Sequence, residues 1–439
     1  MKNLIYFFLL AIPSILMAKE KPVVDFIEYD LDNGLHVIIY HDVNEPNVIV
    51  GTKYHVGSKN EDPDRTGFAH FFEHLLFHGT KNIPQGEFEN TIMNAGGYCN
   101  AYTSYDVTYY YQLLPAHEYK LGLWAESERM LHPVITEEGI NREREIVKEE
   151  KRMRYDNKPL GNAYNDMMGA MFPYETYGHG MIGSMEDLNA SSIKDFDAFF
   201  EKYYVPNNAC LVVAGNVNIP DTKQWIEYYF KDIPKGNAIK RPTNFDPPSK
   251  KEKIIEKTKE GLKKTAVALN YYAMPETHDD AYVMNVIAAI LSGNSDYSYF
   301  EKEILEEEDT IINHVSASSE LWEKVGALRI KGKLDVANQE EYLISKVENQ
   351  LERLKNEPVE DYVLQQVLNA FEVNYTDFYF HAESLADMIT NYYHLWGDAS
   401  EFNNAIEHYT SITSEDIQRV ARKYFTKDNR VTIIYHPEK

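Results

Sequence analysis

One pattern occurs twice in the chain. Residues 199–215 read FFEKYYVPNNACLVVAG, and residues 420–436 read VARKYFTKDNRVTIIYH. Each is a helix end, an aromatic pair, a polar turn and then an apolar run of the kind that forms strands. Lys202, Tyr203 and Tyr204 correspond to Lys423, Tyr424 and Phe425, and Asn208 corresponds to Asn429. A chain of 439 residues has room for two domains. A repeated unit of this kind predicts that the two are related. Strands are expected at 37–40 and 48–56 near the start of the first half, and at 265–273 opening the second. Residues 236–262, in a stretch rich in Pro, Lys and Asn, read as the linker. The expected fold is α+β. Two homologous halves, 19–235 and 263–439, each pack a mainly antiparallel sheet against helices and together enclose a cleft.

The halves differ in one helix. The second half has an apolar one, VIAAIL at 286–291, followed by Ser292 and Gly293; the first half has AHFFEHLLFHGT at 69–80. Phe68, Phe71, Phe72, Leu75 and Leu76 give that helix its apolar faces. Gly67 precedes it, and Gly79 stands where a C-cap is expected. Helix residues four apart lie one above the other, so His70 and His74 can reach one ion. Glu73 shares their face and can hold a water on that ion without ligating it. Two histidines and a glutamate at this spacing also arise by chance on many helices. His78 fits the same period, yet three histidines would string out along the axis, so His78 is expected at the helix end and off the metal. A catalytic zinc wants three protein ligands and an open position for water. The stretch 141–156, NREREIVKEEKRMRYD, offers Glu143, Glu145, Glu149 and Glu150 at helical spacing, anchored by Ile146, Val147 and Met153. A solvated, salt-bridged helix is the plain alternative, and spacing does not choose among the four carboxylates.

These residues resemble the pitrilysin family of inverted-zincin peptidases, in particular the half-length branch containing mitochondrial processing peptidase and its bacterial relatives. The family follows H-x-x-E-H with E-R-x-x-V-x-x-E, whose last Glu binds zinc. Residues 143–150 here read EREIVKEE. The resemblance therefore implies one Zn2+ per chain on His70, His74 and Glu150, with Glu73 as catalytic base and Glu143 supporting the ligands from behind. Residues 96–110, GGYCNAYTSYDVTYY, resemble the family's G-G-x-x-N-A-x-T-x-x-D-x-T strand, which borders the cleft and takes extended substrate along its edge. Asn100 and Ala101 are then the implied substrate contacts. The segment around 203–208 also matches, and 183–189, GSMEDLN, fits a loop leading toward the helix before it. The likeness runs from about residue 26 to the C-terminus and implies a zinc-dependent endopeptidase acting on peptides or unfolded segments.

One departure matters. Members that complete their own site carry L-R-E-x-x-G-L-A-Y in the second half, where the Arg and Tyr grip substrate and steady the oxyanion. Residues 305–313 here read LEEEDTIIN, in a register fixed by VSAS at 315–318. Glu306 replaces the Arg and Asn313 the Tyr, and a carboxylate cannot donate to a developing oxyanion. The expected partner is a related subunit bearing the Arg/Tyr pair, in a heterodimer, with a homodimer as the alternative. Outside the peptidase class stand a non-peptidase zinc amidohydrolase and a non-catalytic assembly subunit.

Residues 1–18 place Lys2 and Asn3 before LIYFFLLAIPSILMA, with Lys19, Glu20 and Lys21 after it. That run is short for a membrane span and reads as a signal peptide cleaved near Ala18, although Leu16 departs from the small-residue preference. A periplasmic or secreted protein with no membrane span follows; an uncleaved anchor is the alternative. The two cysteines, Cys99 and Cys210, are expected as buried free thiols. A net charge of −25 argues against nucleic acid; it suits a cleft that attracts basic peptides, and equally a plain soluble, acidic secreted protein.

Overall fold

The computed structural model describes residues 23–245, 251–293, 296–308, 310–378 and 381–438. The expected signal peptide lies outside them, as do residues 246–250 of the expected linker and Asp309.

Two sheets organise the chain. The first contains β1 (Phe26–Asp30), β2 (His36–His41), β3 (Asn47–Tyr54), β4 (Tyr98–Thr103), β5 (Thr108–Pro115) and β6 (Ala209–Gly215), in the order β1-β2-β6-β3-β5-β4. The second contains β7 (Lys253–Lys259), β8 (Ala266–Ala273), β9 (Ile312–Leu321), β10 (Gly326–Leu334) and β11 (Arg430–Pro437), in the order β7-β11-β8-β10-β9. Each sheet has a single parallel contact, β2 with β6 and β7 with β11, and its other pairings are antiparallel. Removing β1 leaves the same topology in both halves, with β4 and β9 as equivalent edges.

The sequence repeat has a physical basis. The helices Ile193–Tyr203 and Ser414–Tyr424 both begin on a reciprocal capping box, Ser192 with Asp195 and Thr413 with Asp416. Both end under an asparagine: Asn208 Nδ2 donates to Tyr203 O at 2.8 Å, and Asn429 Nδ2 to Tyr424 O at 2.8 Å. Each side chain satisfies a carbonyl that the helix end leaves open and so fixes the turn into the following strand.

The first sheet is buried on both faces. Val37, Ile39, Val48, Val50, Leu211 and Val213 pack with the first half's own helices. The alternate residues Ile38, Ile49, Cys210, Val212 and Ala214 join the core of the second half, including Leu385, Ala386 and Ile389 of the helix Ala382–Trp396. Buried charges tie the halves at the same seam. Lys53 Nζ, fully buried on β3, donates to Asp387 Oδ1 at 2.6 Å, Asp387 O at 2.7 Å and Asn391 Oδ1 at 2.8 Å. Lys59 pairs with Asp106 (2.6 Å) and with Glu323, whose other contacts include His55 Nε2 at 2.8 Å.

Four local expectations need correction. The linker span 236–262 contains β7, because Lys253–Lys259 finds a parallel partner in β11 at the far end of the chain. The strand read across 96–110 is a hairpin. It breaks at Ser104–Val107, where the Ser104 Oγ accepts from the N–H groups of Asp106 (3.1 Å) and Val107 (3.0 Å). The span 183–189 is mostly helical, because the helix Met185–Ala190 starts there on Ser184, whose side chain accepts from Asp187 N. Gly79 is not a C-cap, since the helix ends at Leu75 and is capped by Leu76. Both cysteines are free, Cys210 buried and Cys99 half-buried.

Candidate active site

The motif helix Phe68–Leu75 is set by its apolar side. Phe68 stacks on Phe196 at 4.7 Å between ring centroids, and Phe72 on Tyr204 at 4.8 Å. Its entry is tightly specified. Gly67 has φ +89°, and a Cβ there would meet Ile182 O at 2.2 Å. The buried Glu61 carboxylate accepts from Gly67 N and Ala69 N, both at 2.7 Å, and so closes two of the helix's open donors. With one face pinned, His70, Glu73 and His74 line an open cleft of about 590 Å³.

A second helix supplies the carboxylates. Glu137–Lys151 starts on Thr136, whose side chain accepts from Gly139 N, and buries Ile140, Glu143 and Val147. The stripe continues one turn further to Glu150. Glu150 Oε2 lies 3.5 Å from His70 Nε2 and 3.3 Å from His74 Nε2. Glu143 Oε2 lies 3.3 Å from His74 Nδ1, and Glu143 Oε1 lies 2.7 Å from His78 Nε2. His78 thus sits past the helix end, held on the carboxylate behind His74. Glu145 is paired with Lys148 (2.8 Å); Glu149 lines the cleft wall but is paired with Arg152 (2.9 Å) rather than with the imidazoles.

Donor atoms of His70, His74 and Glu150 all lie within 4.8 Å of one another. Glu150 Oε2 is buried and accepts no hydrogen bond. A lone carboxylate oxygen facing two imidazole nitrogens is satisfied by a cation, and a His-His-Glu set with an open side suits catalytic zinc. The electrostatics agree. Burial, then the His74 and Arg154 charges, push His70 down to about 4 against the pull of Glu150. Burial pulls His74 down as well, but the Glu143 and Glu150 carboxylates beside its two ring nitrogens and the charge of Glu73 carry it up to about 9. Burial would raise Glu143; His74 and His78 instead hold it down at about 2.

The sequence reading passed over two neighbours. Thr103 Oγ1 donates to Glu73 Oε2 at 2.6 Å, aiming the carboxylate from across the cleft. Burial, foremost, raises the Glu73 carboxyl, while the Thr103 hydrogen bond opposes that rise. Arg154 Nη2 takes the second oxygen of Glu150 at 2.7 Å. The signal for Arg154 was its place four residues after Glu150; Thr103 was visible as the Thr of the N-A-x-T string. Asn100 and Ala101 lie on β4, the edge of the first sheet, and line the same cleft. The Ala101 N–H donates to the Asn100 side chain at 2.9 Å. Glu306 and Asn313 are exposed and do not line this cleft; Asn313 is bonded to Asp335.

Two like-folded α+β halves, one carrying a His-His-Glu cluster that could hold a metal ion, make up the described structure. The chain matches the family model described as insulinase (peptidase family M16) over residues 36–181, and that described as peptidase M16 inactive domain over residues 191–371. Zinc protease PqqE of Helicobacter pylori is 29% identical over 415 residues, spanning 93% of this chain and 92% of the relative. The beta subunit of the mitochondrial-processing peptidase of Blastocladiella emersonii is 30% identical over 208 residues, 47% of this chain and 44% of that one. The crystal structure of a protease from Helicobacter pylori is similar with a TM-score of 0.88 at 24% identity, covering 95% of this chain and 100% of that one. The chain belongs to the pitrilysin (M16) family of peptidases, in its half-length branch. Its function is of the peptidase type at the level of that family, whose relatives are named as zinc proteases.

Proposed function

We propose that the protein is a zinc-dependent endopeptidase acting on extended peptides or unfolded segments. One observation carries this reading. His70, His74 and Glu150 converge beside a Glu73 that Thr103 holds, in an open cleft walled by an edge strand. His70, His74 and Glu150 would hold zinc, which would supply Lewis acidity toward a scissile carbonyl and an attacking water. Glu73 takes the proton from that water and delivers it to the leaving amine. Glu143 keeps His74 in the tautomer that presents Nε2 to the site. Substrate adds to β4 as a further strand; the incoming backbone takes over the Ala101 N–H from Asn100.

Glu73→Gln tests the base: zinc content stays at one ion per chain and peptide turnover is abolished. Normal turnover in that variant overturns the assignment. The exposed Glu306 and Asn313 support a further step, that a related subunit supplies the Arg and Tyr and this chain is the zinc-bearing half of a heterodimer. Assay of the chain alone and mixed with a paralogue carrying the pair decides this; full activity alone removes the partner. The N-terminal segment supports export to the periplasm or beyond. Among the described residues no helix is long and apolar enough to cross a membrane.

A further inference from the structure

A second cavity, of about 370 Å³, lies between the second sheet and the start of the helix Ala163–Met171. Its chemistry is opposite to that of the whole chain. Arg329, Lys331 and Lys333 alternate along β10 and so point to one face. On β9, His314 stands opposite Lys333; on β8, Ala266 and Ala268 stand opposite Lys333 and Lys331 and leave the room. Among the described residues no Asp or Glu lines the cavity, in a protein with 69 acidic residues against 44 basic ones.

The positive groups have no close carboxylate partner among the described residues. Arg329 is 8% exposed, and its buried Nε donates to nothing. Its guanidinium lies 5.4 Å from the Tyr164 ring. Among the described residues none of Arg329, Lys331 and Lys333 has a carboxylate within salt-bridge distance, although the charge of Glu320 acts on Lys331. Two acids stand at the cavity's edge, each held by other groups. Glu320 accepts from Ser318 Oγ (2.8 Å) and Tyr164 OH (3.5 Å). Asp166 is held by Lys257 (2.5 Å), Lys259 (3.6 Å) and Tyr435 OH (3.2 Å). Burial, then the charges of Lys333 and Lys331, hold His314 below its usual range, as expected where like charges crowd. A buried guanidinium N–H without an acceptor is costly, and an anion removes both the orphan donor and the repulsion.

We propose that this cavity is an anion subsite of the peptidase, taking a carboxylate of the bound peptide, either its C-terminus or an acidic side chain. The proposal rests on the peptidase reading above. A guanidinium fork flanked by two lysines matches a carboxylate in geometry and charge. One chain segment lines both sites: Met153 and Arg154 face the metal-ligand cleft, and Leu160 and Gly161 face the cavity. Gly161 folds back so closely that a Cβ there would meet Tyr155 O at 2.1 Å. Tyr155 is only five residues past Glu150, about 7.5 Å of helix, so a few residues of extended peptide bridge the two.

The test uses fluorescent peptides and the full chain carrying Glu73→Gln, read by anisotropy so that no turnover is needed. One arm compares a free C-terminus with its amide; the other compares internal Glu with Gln. At least one acid form is expected to bind about tenfold more tightly, the scale of one charge-assisted hydrogen bond; which arm responds identifies the source of the carboxylate. Lys331→Gln with Lys333→Gln on the same protein is expected to erase that preference, and Arg329→Gln likewise. Both lysines are more exposed than Arg329, so the pair tests the site even where Arg329→Gln fails to fold. No preference in either arm, or a preference that survives the lysine changes, overturns the proposal. Failure of the peptidase reading shows differently, as charge-selective binding with no hydrolysis by the unsubstituted chain with or without an Arg/Tyr subunit.

Discussion

Three glutamates on one helix give a graded prediction for zinc affinity. Glu150 faces both imidazole Nε2 atoms, Glu143 reaches one of the two ligand imidazoles, at the far nitrogen of His74, and Glu149 is paired with Arg152 on the cleft wall. Glu143→Gln keeps the volume of a side chain that is 7% exposed and removes its charge. His74 then loses the carboxylate that fixes its tautomer, and His78 loses its 2.7 Å partner. Outer contacts of this kind are worth about 10–100-fold in metal affinity, or about 1.4–2.8 kcal/mol. The amide oxygen can still accept from one imidazole, so the lower end is expected for Gln and the upper end for Leu. Glu150→Gln removes a ligand and exceeds either. Glu149→Gln changes nothing. Competition of each variant against a chromogenic chelator at fixed pH measures the series, and thermal denaturation of the metal-free proteins checks that the fold survives. An unchanged affinity in Glu143→Gln, or a loss in Glu149→Gln equal to that in Glu150→Gln, refutes the reasoning.

Zinc binding should also depend on pH. His74 is held up to about 9 in the metal-free protein, so the metal must displace a proton below that pH. Affinity should rise about tenfold per pH unit from pH 7 and level off near pH 9; a flat profile across pH 7–8 in chelator titrations contradicts the assignment. The sign for stability is opposite: with its folded pKa above the unfolded value, His74 stabilises the metal-free fold fully below about pH 6.5, and this is lost as pH climbs through about 9. Thr103→Val removes the 2.6 Å hydrogen bond to Glu73 and should lower kcat by about tenfold or more with zinc content unchanged; equal kcat in steady-state assays removes Thr103 from a positioning role. Asp387→Ala strands the fully buried Lys53 ammonium and should cost about 3–5 kcal/mol, seen as a lower urea midpoint. Adding Lys53→Met to it should recover part of that loss, and a double variant no more stable than the single one argues against an uncompensated charge as the cause.

Local patterns were legible wherever the deciding interaction is itself local. The spacing of His70, Glu73 and His74 is a helix property, and so is the clustering of Phe68, Phe71 and Phe72. The capping boxes at Ser192 and Thr413 and the carbonyl bonds of Asn208 and Asn429 each span a few residues, so the repeat survived in the sequence as a readable motif. The hairpin break at Ser104–Val107 has no Gly or Pro to announce it; a single serine hydroxyl makes the turn. β7 was hidden for another reason. Its partner β11 lies at the far end of the chain, and a polar strand such as KIIEKTK shows no pattern until that partner is in place.

The sequence by itself determined the two-half α+β plan and the residues of the motif helix, because helix period, strand alternation and capping act over short range. It left four carboxylates as equal candidates on the second helix. Only the crossing of that helix against the motif helix brought Glu143 and Glu150 onto the imidazoles, leaving Glu149 on the cleft wall with Arg152 and Glu145 with Lys148. The same holds for the basic cavity. The alternation of Arg329, Lys331 and Lys333 is written in β10, but their lack of close carboxylate partners among the described residues is a property of everything packed around them. Which charges meet is a question of distances through space, and only the tertiary structure sets those.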